Sequence, residues 1–185
     1  MQAAAALRCA DGKPFVLLGS SSGGILALAA ARCLERAGAP LVAVVLLDTY
    51  MPGEDSPFIQ FSGEMLGGMF DRESMFAYMD TDRLSAMSWY INIVGEWAPG
   101  DLTVPVLLVR PTEPPLTADR AGLTRPEEWQ SSWDGAQTVL DVTGNHFTMM
   151  ESHAGTTADA VRTWLGAAVP GEPAVHLSGH RPEGA

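Results

Sequence analysis

Apolar residues in this chain follow two patterns, short unbroken runs and longer stretches at helical spacing, and the two alternate. Phe15-Val16-Leu17-Leu18 and Leu41-Val42-Ala43-Val44-Val45-Leu46-Leu47 are continuous runs, the mark of strands covered on both faces. Between them, Ile25 to Arg36 carries Leu and Ala at helical spacing, with a stop expected at Gly38. Together they predict a βαβ unit, and a right-handed crossover makes its strands parallel. Val104 to Arg110 predicts a third strand, Thr138 to Val142 a fourth, and Glu151 to Leu165 a closing helix that turns Ala154, Ala158, Val161 and Leu165 inward. Ala3 to Cys9 reads as a leading helix, broken by Asp11-Gly12-Lys13-Pro14.

From Glu54 to Gly100 no strand-like run occurs, only amphipathic pieces spanning Ile59 to Phe70, Arg72 to Met79 and Thr81 to Glu96, so this region is expected to be a helical insertion. A Pro-rich loop runs from Pro111 to Pro126. Beyond Gly166 the composition turns to Pro, Gly, His and Glu, which predicts a disordered tail over Pro170 to Ala185 and one domain over residues 1–169.

With 46% hydrophobic residues among 185, the chain can bury one sizeable core. Its 11 Lys plus Arg against 22 Asp plus Glu give a formal charge of −11, and no basic cluster is present to neutralise phosphates, which argues against nucleic-acid binding and polybasic membrane contact. Cys9 and Cys33 are the two cysteines, in no metal-ligand spacing, so neither a disulfide framework nor a structural zinc is expected and a reducing cytoplasm fits best. The alanine-rich start lacks a basic segment and a processing site, and no apolar run is long enough to span a bilayer.

Gly19-Ser20-Ser21-Ser22-Gly23 fits G-x-S-x-G with Ser21 at its centre, directly after an apolar strand and before an alanine-rich helix. That context predicts a tight strand-to-helix turn, with glycines at both flanks letting the backbone close, that presents the Ser21 hydroxyl as a nucleophile. The amide of Ser22, at the helix N-terminus, would then face a developing oxyanion. A phosphate-binding loop is disfavoured, since no Lys follows the glycines and no G-x-G-x-x-G is present.

A serine needs a base. Of His146, His153, His176 and His180, the last two fall in the tail and His153 in the closing helix, whereas His146 follows the fourth strand in Thr143-Gly144-Asn145-His146-Phe147. Ligands and catalytic groups of open α/β sheets gather at the C-terminal ends of the strands, so His146 is the candidate base. The carboxylate that orients it is open between Asp48, after the second strand, and Glu113, after the third; both keep the chain order Ser, acid, His. For Asp48 the plain alternative is a helix cap.

Further segments carry a family resemblance: Val44-Val45-Leu46-Leu47-Asp48-Thr49-Tyr50-Met51-Pro52-Gly53, Met69-Phe70-Asp71-Arg72-Glu73, Thr81-Asp82-Arg83-Leu84-Ser85-Ala86, Gly95-Glu96-Trp97, Val106-Leu107-Leu108-Val109 and Gly144-Asn145-His146-Phe147-Thr148-Met149. With the serine motif they span about residues 14–166 and resemble the C-terminal thioesterase domains of modular type I polyketide synthases. The resemblance implies an α/β-hydrolase fold, a mostly parallel sheet flanked by helices, with a helical lid at about residues 54–100. It implies that Asp48 rather than Glu113 pairs with His146, and that Tyr50 lines the substrate chamber. It further implies an upstream synthase module and an acyl carrier protein that presents a polyketide acyl thioester on its phosphopantetheine, with no other cofactor and no metal. Ser21 would take the acyl group, and water or a hydroxyl of the same chain would release it as acid or macrolactone. Phe61, Met65, Met69, Met75 and Met87 of the lid suit a greasy channel, although as single residues they are more simply lid core.

Two features depart from the family pattern. Ser20 stands where members often carry His, outside the triad. The serine motif also lies at residue 21, ahead of which a full α/β hydrolase has several strands, including the one whose following loop gives a second oxyanion amide. The expectation is an N-terminally incomplete domain whose first strand is an open sheet edge with an exposed apolar face. A nonribosomal-peptide thioesterase, a general esterase and a catalytically impaired fragment are the alternative readings. The Asp-Arg-Glu and Thr-Asp-Arg-Leu elements favour polyketide over peptide.

Overall fold

The computed structural model describes residues 2–53, 97–115 and 125–169, with positions 56, 80–82, 85, 86 and 123 besides. Most of the expected lid, its five apolar candidates and the tail from residue 170, with His176 and His180, therefore lie outside the described residues.

The apolar runs fold as strands. Phe15–Ser20 (β1), Leu41–Leu47 (β2), Val106–Pro111 (β3) and Thr138–Val142 (β4) form one sheet in the order β1-β2-β3-β4, every neighbouring pair parallel. Helix α1 covers Gln2–Ala10, α2 Ser22–Arg36, α3 Pro126–Trp129 and α4 Ala154–Ala168. From Ala43 onward in β2, past a register irregularity at Leu41, and along β3, side-chain alternation sorts the core into two layers. Leu41, Val44, Leu46, Val106 and Leu108 face Ala27, Leu28, Ala31 and Leu34 of α2, with Ala3 and Ala6 of α1 packed behind. Ala43, Val45, Leu47, Leu107 and Val109 face Met149 and the α4 residues Val161 and Trp164. Burial on both faces is why these strands read as unbroken apolar runs, and each fully buried Leu or Val contributes about 1.5–3 kcal/mol. The result is a parallel sheet with helices packed on both faces.

Several boundaries differ from the sequence expectation. β1 continues through Ser20 and α2 begins at Ser22, so the expected glycine turn contracts to one residue, Ser21, whose φ of 53° reverses the chain by itself. β3 begins at Val106, after Pro105, which has no N–H to give a ladder. The closing helix begins at Ala154 because Thr148–Met150 first form a 3-10 turn, leaving His153 at the cap position. Its inward face is Thr157, Val161 and Trp164, while Ala158 is exposed. The Thr157 hydroxyl donates to the Met149 carbonyl at 2.8 Å, which draws that face toward the turn. β1 lies at the edge of the described sheet, and Leu18 on it is 54% exposed.

Candidate active site

Three strand ends converge on one side of the sheet, as parallel topology demands. At the end of β1, the Ser21 amide donates to the Leu47 carbonyl at 2.8 Å, tying the turn to the neighbouring strand. Ser21 holds φ 53° and ψ −130°, a region that costs a non-glycine residue on the order of 1–3 kcal/mol and persists only where the surroundings enforce it. The surroundings are visible. A Cβ on Gly19 would run into the backbone of Gly23 and Gly24, and one on Gly24 would overlap the Thr49 side chain. A Cβ on Gly23 would meet nothing, so the close approach that the motif requires is made by Gly19 and Gly24 rather than by both motif glycines. Ser22 is the first residue of the 15-residue α2, at the positive end of its dipole.

Asp48 follows β2 with its own positive φ of 42°, and its amide donates to the Val109 carbonyl at 2.8 Å. Its carboxylate is 1% exposed and lies 2.7 Å from His146 Nδ1 through Oδ2. His146 reaches it from the loop after β4, a segment pinned by the Asn145 side chain, whose oxygen accepts the Phe147 and Thr148 amides at 3.0 Å each. The Thr148 hydroxyl oxygen in turn accepts the Asn145 backbone N–H at 2.8 Å, closing the loop on itself. Gly144, at φ 105°, packs against Thr148 and His153, so a glycine is needed there on both conformational and spatial grounds. The imidazole also meets the Phe147 ring edge-on, centroids 5.1 Å apart.

Glu113 is exposed, and its amide is bonded to the Gly144 carbonyl at 2.9 Å. Of the two carboxylates that spacing left open, Asp48 is the one against His146. Tyr50 is buried beside both: its ring centroid is 6.4 Å from that of His146, and its hydroxyl donates to the Trp129 carbonyl at 2.8 Å. Burial first, and then the charge of Asp48, push the Tyr50 phenol far above the ordinary tyrosine range, so it stays protonated.

One site residue has no local sequence signal. Ser131, fully buried, donates its hydroxyl to the other oxygen of Asp48 at 2.9 Å. It lies 83 residues from its partner, just after α3, a helix that the Pro-rich composition hid. Among the described residues no cluster of three or more His, Cys, Asp or Glu is placed to hold a metal, and no helix is long and apolar enough to cross a membrane.

The family model described as "Thioesterase domain" matches residues 1–60, a span that includes Ser21 and Asp48. The chain is 43% identical over 155 residues to the polyketide synthase GfsE of Streptomyces halstedii, covering 83% of this chain and 4% of that one. It is 36% identical over 166 residues to the erythronolide synthase EryA3 of Saccharopolyspora erythraea, covering 90% of this chain and 5% of that one. The chain thus spans about one twentieth of the length of these relatives. Among solved structures, the NocB thioesterase domain from the nocardicin cluster superposes with a TM-score of 0.61 at 22% identity, over 89% of this chain and 70% of that one. The fold is thus that of α/β-hydrolase thioesterase structures, and the first third of the chain matches the thioesterase-domain model. More narrowly, the chain is similar in sequence to a short stretch of several polyketide synthases.

Proposed function

We propose that this chain releases an acyl group from an acyl carrier protein of a polyketide synthase by way of a serine ester. Ser21 Oγ attacks the thioester carbonyl while His146 Nε2 takes its proton, and the Ser22 amide faces the oxyanion. The carbon–sulfur bond then breaks, the proton passes from His146 to the departing phosphopantetheine thiolate, and the acyl group remains on Ser21. Water, or a hydroxyl of the same acyl chain, attacks that ester with His146 again as base, giving acid or macrolactone. Asp48 holds the imidazole in the Nδ1–H tautomer and stabilises its charged form. Tyr50 forms the wall beside the pair. The chemistry needs no metal and no cofactor beyond the carrier's phosphopantetheine.

The observation that carries this reading is the 2.7 Å pairing of His146 with a buried Asp48 beyond a strained Ser21 turn. Identities of 43% and 36% to polyketide synthases favour a polyketide acyl chain over a peptide or a simple ester. The test is thiol release from an acyl N-acetylcysteamine thioester, followed with the unsubstituted chain, Ser21→Ala and His146→Ala. Release by the unsubstituted chain alone is expected; equal release by all three overturns the proposal.

A further inference from the structure

We infer that Ser131 is a positioning residue for the Asp48–His146 pair, delivered to the site by a three-residue clasp over residues 129–131; this rests on the reading of that pair given above. The clasp is built from consecutive residues that each grip a strand end. The Trp129 carbonyl accepts the Tyr50 hydroxyl at 2.8 Å, Gln130 Nε2 donates to the Pro111 carbonyl at 2.8 Å, and Ser131 Oγ donates to Asp48 Oδ1 at 2.9 Å. Tyr50 and Asp48 follow β2 and Pro111 ends β3, so one short segment fixes both strand ends relative to the carboxylate. Trp129, Gln130 and Ser131 are all buried, so water does not compete for these bonds.

The need for such a residue follows from the carboxylate itself. The terminal torsion of an aspartate is broad and roughly two-fold, so its backbone position alone does not aim Oδ2 at an imidazole. A donor on Oδ1 and the imidazole on Oδ2 define the plane of the group from opposite ends. Ser131 also gives a hydrogen-bond partner to the second oxygen of a carboxylate that is 1% exposed, where an unpartnered oxygen would be costly. Ser131 touches neither substrate nor the reacting atoms; it acts through Asp48.

The experiment uses the full chain with isotope-labelled histidine and follows the proton on His146 Nδ1, a direct report of its hydrogen bond to Asp48. In parallel, the second-order rate of Ser21 modification by a fluorophosphonate is measured. In Ser131→Ala the Nδ1 proton is expected to lose its protection and exchange with water, and the modification rate to fall about tenfold, the share of one hydrogen bond to a charged group. Ser131→Thr, which keeps the hydroxyl, restores both. Ser131→Cys fills the same space with a weaker donor and gives an intermediate loss, should the alanine variant not fold.

An unchanged Nδ1 proton in folded Ser131→Ala, or in Ser131→Cys, overturns the inference whatever the rates do. So does absence of a protected Nδ1 proton in the unsubstituted chain. Failure of Ser21 to react in that chain instead overturns the proposed function, and leaves the Nδ1 measurement to judge Ser131 alone.

Discussion

Asp48→Asn is the perturbation that separates the two carboxylates that spacing left open, because it removes a charge while leaving shape nearly intact. In the structure the 1% exposed carboxylate faces His146 Nδ1 at 2.7 Å and Ser131 Oγ at 2.9 Å. Loss of a hydrogen bond to a charged group costs about 1.5–3 kcal/mol, or roughly tenfold to a hundredfold in rate. A second loss comes from orientation. The Ser131 hydroxyl favours the amide oxygen on its own side, which turns the amide NH2 toward Nδ1. The imidazole must then accept at Nδ1 and carry its proton at Nε2, where it can no longer act as base toward Ser21. Together the two effects lower the rate about a thousandfold to ten-thousandfold. The assay is the second-order rate of Ser21 modification by a fluorophosphonate, with intact fold checked by circular dichroism. Glu113→Gln is the control and stays within about twofold, as expected for an exposed surface change. Asp48→Asn within tenfold of the unsubstituted chain, or Glu113→Gln as impaired as Asp48→Asn, would refute the reasoning.

Two further predictions concern stability. Gly24→Ala pushes a methyl group into the Thr49 side chain and is expected to lower stability by about 1–3 kcal/mol in thermal melts, whereas Gly23→Ala, with open space around it, is neutral or stabilising by up to about 1 kcal/mol; the reverse order would contradict the packing described. Glu35 anchors the chain ahead of β3: burial raises its carboxyl, but bonds to its Oε1 from the Thr103 hydroxyl and the Val104 and Thr103 amides, at 2.7, 2.9 and 2.8 Å, outweigh that and hold it below the usual range. A depressed folded-state pKa gives stability that is complete above the unfolded value and lost as pH falls through the folded one. Glu35→Gln should therefore melt lower than the unsubstituted chain near neutral pH, with the gap closing below the ordinary carboxylate range; a gap constant with pH would count against the bonds.

How much was legible in the sequence follows the range of the interactions. β2 and β3 were plain because both faces are buried, which forces unbroken apolar runs. The serine turn was plain because its strain is met locally, although Gly24 and not Gly23 makes the contact with Thr49. Asp48 and Glu113 could not be separated by spacing, since the choice depends on the loop after β4 carrying His146 to the end of β2, 98 residues away in sequence. Family resemblance pointed to Asp48, which is where the imidazole lies. Ser131 escaped notice for the same reason, and α3 because four helical residues behind a proline-rich loop leave no periodicity to read. The inward face of α4 was offset because alanine is small enough to sit on either side, whereas Trp164 has to be buried and sets the rotation of the helix.

The central claim is that Ser21 carries the acyl group. Intact-mass spectrometry of the chain after incubation with an acyl N-acetylcysteamine thioester, beside Ser21→Ala, reads it directly. The account predicts a mass increase equal to one acyl group on the unsubstituted chain, lost in Ser21→Ala and mapped by proteolysis to the peptide containing Ser21. An adduct that persists in Ser21→Ala, or no adduct on a folded unsubstituted chain, would contradict it.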